Sequence, residues 1–194
     1  KFIGLTMPEI RGFAKKYQDI NLKDTIELLH SKIHEHRMCA LIILTSKFQK
    51  GTEKERKKIY NIFLKNTKYI NNWDLVDVTV HKVIGEFLVD KNRKILYKLA
   101  KSKSLWERRI SIISCFAFLK RDDFEDALKI AEILVYDKHD LIHKAVGWVL
   151  REIGQKDQAL EEKFLKKYHK TMPRTMLRYA LEKFDEKKRK FYMG

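Results

Sequence analysis

Seven glycines and two prolines are all the chain-turning residues that the 194 positions contain. That is less than half of the roughly 12% that average usage would supply. The tight hairpins of an all-β sandwich or barrel draw on such residues at nearly every turn, so an all-β architecture is excluded. Between the few glycines, apolar residues recur at helical spacing and are interrupted by polar residues suited to capping helix ends. The chain is predicted to be all-α.

The pattern predicts a first helix opened by Pro8 and running to about residue 17, a second from Asn21 to about residue 31, and a third over 35–48 that stops at Gly51. Thr52, with Glu55 three residues on, has the form of a capping box and starts a helix to about residue 65. Asn72 caps the next, over 73–89. Further helices are expected at about 91–101, 105–120, 123–136, 140–153, 157–168 and 173–188. The links between them are only a few residues long, which favours antiparallel neighbours.

Alternate helices begin near Glu35, Trp73, Leu105, Asp140 and Pro173. A period in the thirties with two helices per unit marks an α-solenoid. No tetratricopeptide consensus is present, so the expected unit is an irregular HEAT-like pair. About five to six such pairs are expected to form one domain over 1–194. In a stack of this kind one helix of each pair lines a concave face, the usual binding surface.

Charge points to a class of partner. The chain has 42 Lys+Arg against 26 Asp+Glu, a formal +16. The excess is spread through the chain, with 20 basic and 11 acidic residues in 1–100 and 22 and 15 in 101–194. A basic groove is an electrostatic footprint for phosphates, and a merely solvated Lys-rich surface would leave the same signature. Lys187, Lys188, Arg189 and Lys190 read most simply as a solvated helix end. The longest apolar run, Leu41 to Leu44, is far short of the about 18 residues of a membrane span, and no signal-type segment opens the chain. Cys39 and Cys115 sit in apolar helical patterns and read as thiols, not a disulfide. A reducing cytoplasm is expected.

Familiar catalytic signatures are missing: no phosphate-binding glycine loop, no Cys-x-x-Cys, no His-Glu-x-x-His and no nucleophile elbow. His30, His34 and His36, and the i, i+4 pair His139 and His143, lack companion ligands at suitable spacing. They read as helix-end and surface histidines, and neither a metal nor a cofactor is expected.

The repeat itself is more informative. Arg37, Trp73, Arg109 and Lys144 fall at matching early positions of the second helices, and Leu41, Asp77, Ile113 and Trp148 lie one turn later. If matching positions point one way, Trp73, Asp77, Arg109 and Trp148 converge on the concave face. The same residues also read as structure, with two core indoles and an ion pair between neighbouring helices.

Four segments, in order, resemble a known family. They are Asn71-Asn72-Trp73-Asp74-Leu75-Val76-Asp77, Trp106-Glu107-Arg108-Arg109, the stretch from Lys144 through Trp148 to Glu152, and that from Met172 to Ala180. The chain is similar, from about Gly4 to Phe184, to the DNA alkylation repair family of HEAT-like-repeat DNA glycosylases. The resemblance implies removal of cationic N3- or N7-alkylated purines from duplex DNA. It makes Trp73 and Trp148 the aromatic cleft residues, Asp77 the catalytic carboxylate and Arg109 the contact to the backbone. Arg151, one turn beyond Trp148, is a second candidate for phosphate, with Arg37 and Lys144 also placed on the DNA. The resemblance also implies helical material ahead of Gly4 that this sequence lacks.

The chemistry follows independently of the family. An alkylated purine is cationic, so breaking its glycosidic bond releases a neutral base and leaves oxocarbenium character on the sugar. A carboxylate beside that sugar stabilises the cation and orients a water for attack. Indole faces attract the charged base, and arginine forks onto phosphate oxygens with little sequence preference. No lysine stands out as a Schiff-base nucleophile, so the expected enzyme is a monofunctional hydrolase. Its expected partner is double-stranded DNA carrying alkylated bases, with no membrane and no obligate protein partner, in the cytoplasm or at a prokaryotic nucleoid. The alternatives are a non-catalytic DNA-structure binder on the same scaffold and, less favoured, a protein-interaction scaffold.

Overall fold

The computed structural model describes every residue from Lys1 to Gly194, with twelve helices and no strand. Their packing divides into two compact units, Lys1–Asp90 and Lys91–Gly194.

The first unit holds α1 (Met7–Lys16), α2 (Leu22–Leu29), α3 (His34–Lys50), α4 (Glu53–Lys65) and α5 (Trp73–Val80). The last continues through a π-helical turn, His81–Gly85, into Glu86–Leu88. Caps set the starts. The amide and hydroxyl of Thr6 both donate to Glu9 Oε2 at 2.7 Å, the Asn21 side chain accepts from the Asp24 amide at 3.0 Å, and the Thr52 amide donates to Glu55 Oε2 at 2.7 Å. Each satisfies an amide that a helix start would otherwise leave open. The unit is organised around α3, which packs against α1, α2, α4 and α5. Its Met38, Leu41, Leu44 and Phe48 are buried, each contributing about 1.5–3 kcal/mol relative to exposure.

The second unit holds α6 (Lys94–Ala100), α7 (Leu105–Ser114, resuming after Cys115 as Phe116–Leu119), α8 (Glu125–Leu134), α9 (Asp140–Lys156), α10 (Gln158–Tyr168), α11 (Arg174–Ala180) and α12 (Glu186–Met193). Here α9 is central and packs against α7, α8, α10 and α11. Its approach to α11 is close because residue 147 is glycine: a Cβ there would lie 2.5 Å from the Met176 carbonyl oxygen and 2.5 Å from Tyr179 Cβ.

The expected helices are present with one substantive difference. The helix expected over 173–188 ends at Ala180, passes through a 3-10 turn at Leu181–Lys183, and gives way to a separate α12. The cause is local. Phe184 is extended, and Asp185 caps the new helix by accepting from the Lys188 amide at 2.9 Å. The basic run 187–190 therefore lies within α12, where Lys188 reaches Glu162 at 2.5 Å. Both cysteines are free thiols, Cys115 buried and Cys39 half-buried. No helix is long and apolar enough to cross a membrane.

Candidate functional site

The start of α5 carries the first group of expected site residues. Asn72 caps it, accepting with Oδ1 from the Trp73 amide at 2.7 Å. Trp73 is the first residue of the helix and 53% exposed, so about half of its surface is open to solvent. Asp77 stands one turn later and is half-buried. Between them Asp74 Oδ1 accepts from the Leu75 amide at 2.7 Å, in the first turn, where the helix dipole favours a carboxylate. Its Oδ2 lies 2.7 Å from His34 Nε2.

Arg37 belongs to this unit and is half-buried. Its Nη1 donates to the Ser31 carbonyl at 3.0 Å. Its Nε is buried without a protein partner. Burial lowers its pKa, partly opposed by the charges of Asp74 and Glu35. Arg37 thus braces the start of α3.

In the second unit Arg109 is only 5% exposed and its guanidinium donates to the Leu141 carbonyl. The neighbouring Arg108 is also engaged, with Nε 2.6 Å from Asp137 and Nη1 donating to the Ser102 and Lys103 carbonyls at 3.0 Å. The two arginines thus tie α7 to the link that precedes α9 and to its first turn. Arg109 is a strut here, where the sequence suggested an exposed phosphate hook. Arg151 is likewise engaged: its guanidinium meets Glu152 at 3.0 Å and also meets Glu182. Burial alone would lower its pKa, but the two carboxylates outweigh it and raise it. Its charge is therefore largely matched inside the protein. Lys144 is more accessible than Arg109 or Arg151, its side chain 39% exposed against 18% for that of Arg151. Its ammonium is 2.7 Å from Asp140 one turn back, and that hydrogen bond raises the lysine and lowers the aspartate.

Trp148 is half-buried. Its ring tilts by 50° against Phe116 with centroids 4.5 Å apart, and its Nε1 donates to Glu152 Oε1 at 3.2 Å. Glu152 therefore orients both Trp148 and Arg151. The pairing at i, i+4 was available from the sequence. Glu182 and Phe116 were not, because they come from other helices.

Leu41 and Ile113 are fully buried, whereas Asp77 and Trp148 are partly exposed. The histidines have local partners: His30 with Asn66 at 2.7 Å, His36 with Ser31 at 3.0 Å, and His143 with the Asp137 carbonyl at 2.5 Å. His139 caps α9 by accepting from the Leu141 amide at 3.2 Å.

A sequence model of a family described as DNA alkylation repair enzyme matches residues 1–184. No curated protein matches the chain. Among solved structures, a predicted DNA alkylation repair enzyme from Enterococcus faecalis superimposes with a TM-score of 0.73 at 17% identity, covering 95% of this chain and 89% of that one. AlkD2 from Streptococcus mutans gives 0.66 at 20% identity, over 95% and 92%. The protein smu.31 from Streptococcus mutans UA159 gives 0.64 at 20% identity, over 92% of each. At such identities the likeness is one of fold, and the fold is the HEAT-like helix-pair type.

Proposed function

From the premise that this chain belongs to the DNA alkylation repair enzyme family, we propose that it is a monofunctional DNA glycosylase acting on cationic N3- or N7-alkylated purines in duplex DNA. The observation that carries the reading is the open indole of Trp73 one turn ahead of the Asp77 carboxylate on α5.

In the proposed reaction the bond between the sugar's anomeric carbon and the purine nitrogen breaks, and its electron pair goes to the base, cancelling the positive charge. Water adds to the anomeric carbon. The Asp77 carboxylate stabilises the developing oxocarbenium and takes the proton that the water loses. Trp73 holds the cationic base against its ring, a contact contributing about 0.5–2 kcal/mol depending on desolvation. The resemblance makes Trp148 an aromatic cleft residue as well, and Glu152, one turn on, accepts from its Nε1. Lys144 supplies positive charge toward phosphate. Arg109 acts through Leu141, holding the first turn of the helix on which Lys144 and Trp148 are carried.

The test is release of free 7-methylguanine and 3-methyladenine from methylated duplex DNA, measured for the wild type and for Asp77→Asn. The wild type is expected to release base, and the variant to do so about 10²–10³-fold more slowly, the scale of losing one preorganised electrostatic group, with DNA affinity nearly intact. Equal rates would remove Asp77 from the chemistry. DNA bound tightly by the wild type with no base released would make the chain a non-catalytic DNA binder.

A further inference from the structure

The first turn of α3 holds a buried polar cluster that the proposed chemistry does not use. His34 is 5% exposed and Glu35 4%. The segment ahead of α1 lies over them. The His34 amide donates to the Lys1 carbonyl at 2.8 Å, the Phe2 ring sits 4.7 Å from the imidazole, and the Ile3 and Gly4 amides both donate to Glu35 Oε1 at 2.9 Å. Burial raises the Glu35 carboxyl, but these amides and the helix start outweigh it and hold it below the ordinary range. His34 Nδ1, Glu35 Oε2 and Arg37 Nε are buried without protein partners.

Burying polar atoms in this way is unfavourable, and an apolar side chain at position 34 would avoid it. The geometry identifies what the histidine does in exchange. Its Nε2 is the atom 2.7 Å from Asp74 Oδ2, and Asp74 follows Trp73 directly in the first turn of α5. The His34 side chain is 6% exposed and that of Asp74 25%, so the contact forms largely out of water, where it is strong and directional. Asp74 is thus held from two sides, by the Leu75 amide through Oδ1 and by His34 through Oδ2. Arg37 adds its charge nearby.

We propose that His34 is a positioning residue for base excision: acting through Asp74, it fixes the first turn of α5 and so the attitude of the Trp73 indole and of Asp77 one turn on. Trp73 is at the very end of a helix and half in solvent, so its own burial constrains its direction only in part. The His34–Asp74 contact supplies that constraint from a neighbouring helix of the same unit. Of the two carboxylates near Trp73, Asp74 is the orienting one and Asp77 the reacting one. The activity arm of this inference rests on the glycosylase reading; its structural arm does not.

The experiment compares His34→Ala, His34→Gln, which keeps an N–H near the same place, and Asp74→Ala. The first readout is Trp73 emission and its quenching by acrylamide, measured with Trp106 and Trp148 replaced by Phe. His34→Ala and Asp74→Ala are expected to shift the emission to the red and raise quenching, and His34→Gln to restore both toward wild type. The second readout is base release by proteins that retain their other tryptophans. There His34→Ala should lower kcat by roughly 10- to 100-fold, the scale of a displaced reacting group, with KM little changed and with partial rescue by His34→Gln. If His34→Ala does not fold, Asp74→Ala reads the same loss from the more exposed partner. Unchanged Trp73 emission in folded His34→Ala or Asp74→Ala overturns the inference. A wild type that releases no base, with the emission changes still present, overturns the glycosylase reading and leaves the constraint on Trp73 standing.

Discussion

Replacing Glu161 by glutamine should change the dependence of stability on pH. Glu161 lies in the first turn of α10 and is 1% exposed. Its Oε1 is buried without a partner, and its Oε2 occupies the space where a Cβ on Gly154 would lie, 1.6 Å away. Burial, and secondarily the charge of Glu162, push its pKa from 4.5 up to about 8. The native protein therefore keeps this proton up to about pH 8, whereas the unfolded chain releases it near pH 4.5. Between those values the native state binds one proton more, so the free energy of unfolding falls by about 1.4 kcal/mol for each pH unit. The stabilising contribution is complete below about pH 4.5 and is lost as pH rises through about 8. Across the whole window it amounts to at most roughly 4–5 kcal/mol. Glutamine mimics the protonated acid at every pH. Urea unfolding followed by circular dichroism at pH 5, 6, 7 and 8 should find Glu161→Gln close to wild type at pH 5 and more stable by several kcal/mol at pH 8. A difference between the two proteins that stays constant from pH 5 to 8 would refute the buried, neutral carboxyl.

Two further outcomes follow from the packing of α9. Gly147→Ala forces a methyl group into the Met176 carbonyl and Tyr179 Cβ, neither of which can swing aside, so it should destabilise by about 1–3 kcal/mol or more; a thermal melt that does not move would mean that α9 and α11 are less closely apposed. Arg109→Ala leaves the Leu141 carbonyl without its donor and should lower stability by about 1–3 kcal/mol. With its guanidinium nearly buried, Arg109→Ala should also leave the salt slope of DNA binding at its wild-type value, and a slope smaller by about one would return Arg109 to the phosphates.

The helices were legible in the sequence because their signals are local. Thr52 with Glu55, Asn72 before Trp73 and Asn21 before α2 each act within four residues, and the apolar spacing between them repeats with the helix period. The exception, the break after Ala180, was local too: an aspartate at 185 that caps α12 was hidden inside a run otherwise suited to continue the helix. Site residues were less legible. A carboxylate one turn after an indole can be read from spacing, and so can Glu152 one turn after Trp148. The state of an arginine cannot. Arg109 and Arg151 look alike in the chain, yet one ends on a backbone carbonyl 32 residues away and the other on Glu182, 31 residues away.

The sequence by itself determined an all-α chain of short helix pairs, the places where those helices begin, and the family to which the ordered Trp, Asp and Arg segments belong. Only the tertiary structure decided which charges remain available to a ligand. Helix formation is settled by neighbours three and four residues apart, whereas the burial of a guanidinium, the enclosure of Glu161 against Gly154 and the tether from His34 to Asp74 depend on which helices come to lie side by side.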